Sequence, residues 1–274
     1  MLGESHSEYL EKSMMIADIV LEQGRYRSAE EIIRKLLSTF KTENKDDIHR
    51  LRALSVLGTI LLNQGSYKEA EKILSKTFQS QKRVSGTKNP FTLTTMQELA
   101  VAYGEQGRFK EAEGLSEQVL ETRRRMLGQD NADTLRSMGN LAWTYQVQKR
   151  WTEAEGLTLQ LIEKQTRVMG REHFDTLVTI NSLALVYMEE GRLKEAEDLE
   201  VQVLETRTRV LGQEHPHTLS SMYNLAWVWN DAGRYADSIK LMEECVHLRT
   251  RILGASHPRT LLSKNLLLEW QRGN

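Results

Sequence analysis

Between Thr92 and Gln106 the apolar residues Met96, Leu99, Ala100 and Tyr103 fall within one arc at about 100° per residue, the spacing of an amphipathic helix. Gly107 follows, a residue able to take positive φ and end the helix. A second helix is predicted from Phe109 to Leu127, with Ala112, Leu115, Val119, Leu120 and Met126 on its inner side and Gly128 closing it. A short polar loop leads to Thr134-Leu135, where the pattern restarts. The chain therefore reads as one helical hairpin followed by another of the same length.

The hairpin recurs every 42 residues. Its turn, Gln106-Gly107-Arg108-Phe109, returns as Gln148-Lys149-Arg150-Trp151, Glu190-Gly191-Arg192-Leu193 and Ala232-Gly233-Arg234-Tyr235. Earlier it reads Gln64-Gly65-Ser66-Tyr67 and, one residue out of phase, Gln23-Gly24-Arg25-Tyr26. Leu127-Gly128, Met169-Gly170, Leu211-Gly212 and Leu253-Gly254 keep the same step. Pro90, Pro216 and Pro258 share one phase, just before a first helix, where a missing N–H costs little. Such a period predicts an all-α solenoid that buries its core between neighbouring repeats and presents a long curved surface.

Six helix pairs are predicted over residues 8–259, starting near residues 8, 49, 92, 134, 176 and 218. A lone helix over 260–274, carrying Leu261, Leu262, Leu266, Leu267 and Leu268, is predicted to cap the stack. Leu2-Gly3-Glu4-Ser5-His6-Ser7-Glu8-Tyr9-Leu10 parallels Leu253 to Leu261, a string that closes one repeat and opens the next. Residues 1–7 are accordingly expected to be the remnant of a preceding repeat, left by a longer protein or by an array lacking its first hairpin. The segment 42–49 is the most polar and irregular, so the first repeat is expected to fray.

Composition narrows the function classes. The chain has 274 residues and a net charge of −1, which gives no bulk electrostatic pull towards nucleic acid or an acidic membrane. A single cysteine, Cys245, excludes an intrachain disulfide and fits a reducing cytosol. No stretch approaches about 18 consecutive apolar residues, and the N-terminus lacks a basic-then-apolar signal pattern. A soluble, cytoplasmic protein with neither nucleic-acid nor membrane partner is expected.

The unit Asn140-Leu141-Ala142-x-x-Tyr145, then Gly191 to Glu197, then Leu211-Gly212-Gln213-Glu214-His215-Pro216-His217-Thr218-Leu219 resembles the long tetratricopeptide repeat (TPR) of kinesin light chains. It is similar still more closely to the TPR arrays at the C-terminal ends of fungal NLR-like STAND proteins. The resemblance covers nearly the whole chain. It implies a right-handed TPR superhelix and a non-catalytic recognition scaffold binding a protein or peptide in its concave groove, without a cofactor. In a STAND protein an NTPase domain precedes the array, and this chain has no Gly-x-x-x-x-Gly-Lys-Ser/Thr phosphate loop. A kinesin-light-chain-like cargo adaptor for acidic or aromatic peptides is the alternative within the same class.

Opposite the apolar arc of 92–106 lie Thr94, Gln97, Glu98, Val101 and Glu105, the arc that lines the groove in TPR arrays. Stepping by 42, one position reads Thr59, Val101, Trp143, Leu185, Trp227 and Glu269. An apolar ladder on a face expected to be wet marks Val101, Trp143, Leu185 and Trp227 as candidate ligand contacts. Gln97, Asn140, Asn181 and Asn224 flank it, with Tyr223 and Arg136 close by. Amides can pair with an extended peptide backbone while an aromatic floor buries its side chains. Two bland readings stay open: Trp143 and Trp227 as packing between repeats, and Asn140 and Asn224 as structural amides.

Other signals point to structure. His173, His215 and His257 recur in phase, but helices about 8–10 Å apart cannot bring equivalent loop histidines to one ion at about 2 Å. No metal site is expected. Arg123-Arg124-Arg125, Arg207, Arg209, Arg249 and Arg251 are read as a basic stripe that complements helix dipoles and pairs with Glu121 and Glu205. Near-zero net charge argues against RNA reading by these arginines. Cys245 is read as packing. An enzyme would need a perturbed ionisable group in the groove, where Glu105, Glu189 and Asp231 are the obvious acids. Exposed ends of the array suggest end-to-end self-association.

Overall fold

The computed structural model describes residues 2–22, 25–40 and 46–273. Among these the chain is an all-α solenoid of thirteen helices with no strand. They are α1 (Leu2–Glu22), α2 (Tyr26–Ser38), α3 (Ile48–Asn63), α4 (Tyr67–Ser85), α5 (Pro90–Glu105), α6 (Phe109–Leu127) and α7 (Ala132–Val147). Then follow α8 (Trp151–Met169), α9 (Phe174–Glu189), α10 (Leu193–Leu211), α11 (Pro216–Asp231), α12 (Tyr235–Leu253) and α13 (Pro258–Gly273). From α3 onward, helices of 16 and 19 residues alternate, first and second members of successive repeats.

The chain divides into two compact units, Met1–Lys149 and Arg150–Asn274. In the first, each helix packs on the next, and α1, α3, α5 and α7 also touch in succession. Its core holds Ala29, Ile33, Leu36, Leu57, Ile60, Leu61, Leu74, Leu99 and Ala102. In the second unit, α8 to α13 pack consecutively. Leu183, Ala184, Tyr187, Ala196 and Val228 form one cluster there, and Leu219, Met222, Met242, Cys245, Leu267 and Trp270 another.

The turns follow the sequence markers. Gly107, Gly191 and Gly233 take φ near +75 (75, 75 and 76), and Lys149, in the same register, is the non-glycine residue with positive φ among the described residues, at 58. The arginine after the turn is a recurring tie. Arg192 Nη1 donates to Glu155 Oε1 on α8 at 2.9 Å and Nη2 to Glu195 Oε1 in its own helix at 2.6 Å, with its guanidinium 3.8 Å over the Tyr187 ring. Arg108 makes the equivalent bonds to Glu71 and Glu111 over Tyr103, and Arg234 to Glu197 and Asp237 over Trp229. In Glu153-Ala154-Glu155 and Glu195-Ala196-Glu197 the first acid binds the arginine of its own turn, Arg150 or Arg192, and the second binds the arginine of the next repeat, Arg192 or Arg234. These solvent-screened pairs fix geometry more than they stabilise.

Several expectations change. Residues 2–7 belong to α1 instead of forming a helix tail and loop. Ser7 stands in the register of Pro90, Pro216 and Pro258, so no ring interrupts the helix there. Residues 42–45 of the polar segment lie outside the described residues. Met126 is 46% exposed, not inward-facing. It sits in the last turn of α6, in phase with Val84, Val168, Val210 and Ile252, all exposed. The last helix, α13, starts at Pro258 and buries Leu267 and Trp270, while Leu261, Leu262 and Leu268 stay exposed at 45%, 55% and 48%.

Candidate functional site

In the first unit, α5 and α7 carry five of the candidate residues. Gln97 is only 4% exposed, and its Nε2 donates to Ser116 Oγ on α6 at 3.2 Å. It therefore lies beneath the second helix of its own repeat and does not line a groove. Val101 is half-buried against the unit's core. Trp143 is also half-buried, and its Cη2 and Cζ3 lie 3.1 Å from where a Cβ on Gly104 would stand. The absent side chain at Gly104 lets the indole lie against α5, so Trp143 packs between repeats. Asn140 is half-buried, and Arg136 is exposed in an ion pair with Asp133 at 3.3 Å.

The second unit differs. Leu185 on α9 is 46% exposed and Trp227 on α11 is 42% exposed. Tyr223, one turn before Trp227, meets it edge-on with ring centroids 6.0 Å apart and an interplanar angle of 89°. Behind Tyr223 the Arg249 guanidinium lies 5.2 Å from its ring centre. Asn224 Nδ2 donates to Glu200 Oε1 on α10 at 3.3 Å. Asn181 is half-buried, and its Oδ1 has no hydrogen-bond partner. Leu185, Asn181, Tyr223, Asn224 and Trp227 thus come from the two first helices α9 and α11, with Glu200 on the second helix packed against both.

Sequence reasoning placed Glu98 on the groove arc without giving it a role and did not name Glu200. Glu98 on α5 is half-buried and accepts no hydrogen bond or ion pair, and desolvation alone pushes its carboxyl up to about 7. Glu200 is 2% exposed; burial pushes it up to about 8, opposed by the Asn224 bond and the Arg207 charge. Glu105, Glu189 and Asp231, the acids sequence reasoning favoured, are exposed. The available signal was register: Glu98 is in phase with Asn140, Ser182 and Asn224, and Glu200 with Leu74, Ser116, Thr158 and Met242. Each is the one charge in an otherwise uncharged position.

The basic stripe is also corrected. Arg123, Arg207 and Arg249 are 4%, 2% and 3% exposed and reach across to the following first helix instead of complementing a dipole. Arg125 does pair with Glu121, whereas Arg209 and Arg251 pair with Glu172 and Glu214. The in-phase histidines are helix caps. Nδ1 of His173, His215 and His257 accepts from the N–H of Asp175, His217 and Arg259, each at 3.2 Å, as Asn89 and Asn131 do through their side-chain oxygens. Among the described residues no group of three or more His, Cys, Asp or Glu could hold a metal ion. Cys245 is buried, its thiol pushed up by burial, and Sγ donates to Leu219 O at 3.3 Å. No helix among the described residues is long and apolar enough to cross a membrane.

Fold and site together define a helical-repeat scaffold whose first helices carry the candidate contacts. Tetratricopeptide-repeat profiles match residues 14–78, 49–125, 105–163, 176–217 and 218–259, and the chain belongs to the tetratricopeptide-repeat family. A protein of Podosopora anserina described as a kinesin light chain with nearly identical TPR-like repeats is similar in structure. Its TM-score is 0.60 and its identity 29%, over 74% of this chain and 96% of that one. NprR in complex with its cognate peptide NprX superposes with a TM-score of 0.71 at 14% identity, over 96% of this chain and 73% of that one. A signal transduction ATPase (STAND) protein with a TPR sensor from Pyrococcus horikoshii gives 0.61 at 11% identity, over 94% of this chain and 38% of that one. The last two share the fold alone. No curated protein matches the chain.

Proposed function

We propose that the chain is a non-catalytic recognition scaffold that binds an extended peptide or protein segment along its first helices, with Leu185 and Trp227 as apolar anchors. The observation that carries this reading is the exposure of these two large side chains, 46% and 42%, at one register of successive first helices. A buried register would have closed over them, as Trp143 closes over Gly104. Half-buried Asn181 and Asn224 flank them as backbone partners for an extended segment. That NprR holds its cognate peptide supports peptide binding as a use of this fold.

Within this reading the array serves as the sensor of a fungal NLR-like receptor, where occupancy of the first-helix face biases an NTPase. The STAND protein with a TPR sensor supports that assignment. The second reading, a kinesin-light-chain-like adaptor, is favoured by the 29% identity to the Podosopora anserina protein. Selection of a random-peptide display library on the immobilised protein tests the shared claim. Enriched peptides that fail to bind a Leu185→Ala/Trp227→Ala variant support it. Peptides that bind both proteins equally would move recognition to another face.

A further inference from the structure

Once ionised, Glu200 poses a chemical problem that the fold leaves unsolved. Its carboxylate is in the interior at 2% exposure, its Oε2 has no hydrogen-bond partner, and its one bond is the 3.3 Å contact from Asn224. No ion pair reaches it. The one charged side chain acting on it is Arg207, two turns along its own helix, which is engaged with Ser221 Oγ and His217 O. On the facing helices, Asn224 of α11 donates to it, and Asn181 of α9 is a further half-buried amide. An isolated buried carboxylate is strongly disfavoured unless it is protonated or given a cation.

Asn181 adds a second acceptor without a donor, its buried Oδ1. Asn181 and Glu200 hold the registers of Gln97 and Ser116, which are hydrogen-bonded to each other in the first unit. Asn181 and Glu200 thus occupy two positions whose side chains meet in the first unit, and each holds a buried acceptor without a donor. One helical turn from Asn181 lies exposed Leu185, and one turn from Asn224 lies exposed Trp227. The acceptors therefore lie on α9, which carries Leu185, and on α10, which packs against both α9 and the Trp227 helix α11.

We infer that Glu200, Asn181 and Asn224 form an anchor site for a cationic side chain, a lysine or arginine, of the segment bound between Leu185 and Trp227. This rests on the first-helix face being the recognition face. A lysine ammonium carries three N–H donors and no acceptor, which matches Glu200 Oε2 and Asn181 Oδ1. Its charge supplies what a buried carboxylate needs, and the faces of Trp227 and Tyr223 favour a cation passing beside them. The first unit offers an independent parallel: Glu98 stands in the register of Asn224 and also lacks any partner. Unpaired acids on this face select against the acidic peptides expected of a kinesin-light-chain-like adaptor.

The test is selection of a random heptapeptide display library at about pH 8.5 on wild type and on Glu200→Gln. An enriched peptide is then resynthesised with its lysine or arginine replaced by norleucine. The expected result is one basic position in the enriched pool, lost on Glu200→Gln, with norleucine weakening wild-type binding about tenfold or more and leaving the variant's affinity unchanged. Circular dichroism establishes that the variant is folded, and the norleucine peptide tests the site even where it is not. An enriched pool with no basic position, or a basic position whose effect survives Glu200→Gln, overturns the cation site while the groove reading stands. A library that yields no binder overturns both.

Discussion

Arg207 Nη1 donates to Ser221 Oγ at 2.8 Å, joining the second helix of one repeat to the first helix of the next through side chains that are 2% and 0% exposed. Arg123 with Ser137 and Arg249 with Ser263 repeat the contact, and each arginine also donates to a backbone carbonyl ten residues on. Where the arginine is absent the serine is absent too: Gln81 faces the register of Thr95, and Gln165 that of Thr179. One buried position thus holds Arg with Ser in three repeats and Gln with Thr in two, and Gln81 makes no side-chain hydrogen bond.

Arg207→Ala is accordingly expected to destabilise the protein by about 2–4 kcal/mol, because a buried hydroxyl and carbonyl lose a charged donor. Arg125→Ala, on an exposed pair with Glu121, should change stability by no more than about 0.5 kcal/mol. Arg207→Gln combined with Ser221→Thr should recover part of the loss. Urea unfolding of the four proteins measures this, and equal losses at Arg207 and Arg125 would contradict the buried-tie account.

Gly58→Ala should destabilise despite the better helix propensity of alanine. Its Cβ would stand 2.3 Å from Leu74 Cδ2 and 2.5 Å from Leu74 Cγ, inside a fully buried contact. Alanine contributes about 1 kcal/mol in an exposed helix, whereas overpacking costs about 1–3 kcal/mol. Ala100 tolerates its Cβ because Ser116 replaces leucine in that register. Gly58→Ala with Leu74→Ser should therefore recover part of the loss, and a single variant more stable than wild type would show the contact to be loose.

Stability should fall as pH rises through the neutral range. Burial raises Glu98 to about 7 and Glu200 to about 8, whereas an unfolded glutamate titrates near ~4.3. Between those values the folded state retains protons that the unfolded state has released, so alkali favours unfolding, and the effect levels off once both groups are ionised. Thermal unfolding from about pH 5 to pH 9 should show a declining Tm in wild type and a flatter profile in Glu98→Gln/Glu200→Gln. Parallel profiles for the two proteins would assign the decline to other groups.

Much of the fold was legible because the repeat samples the same helical hairpin many times. The predicted second helix from Phe109 to Leu127 is α6 as observed. What a single helix face could not show is which neighbour covers it. Gln97 and Val101 lie on one arc, yet α6 covers Gln97. Trp143 and Trp227 share a register, but Gly104 makes room for one ring, while Met188 holds the corresponding place before the other. Comparing registers across repeats would have exposed the Arg–Ser pairing, since serine follows each buried arginine at a fixed spacing. It would also have singled out Glu200, an acid in a register of Leu, Ser, Thr and Met.

The two tryptophans give the most direct test of the account, because identical residues in one register are assigned opposite roles. Using a peptide enriched on wild type, calorimetric binding and urea unfolding should be measured on Trp143→Ala and Trp227→Ala. Trp227→Ala is expected to lose about tenfold or more in affinity while changing stability by less than about 1 kcal/mol, as for a half-exposed contact residue. Trp143→Ala is expected to lose about 2–4 kcal/mol of stability, as for a packed aromatic, and to keep its affinity wherever it stays folded. Retained affinity in Trp227→Ala, with its stability loss matching that of Trp143→Ala, would contradict the account and make both rings packing.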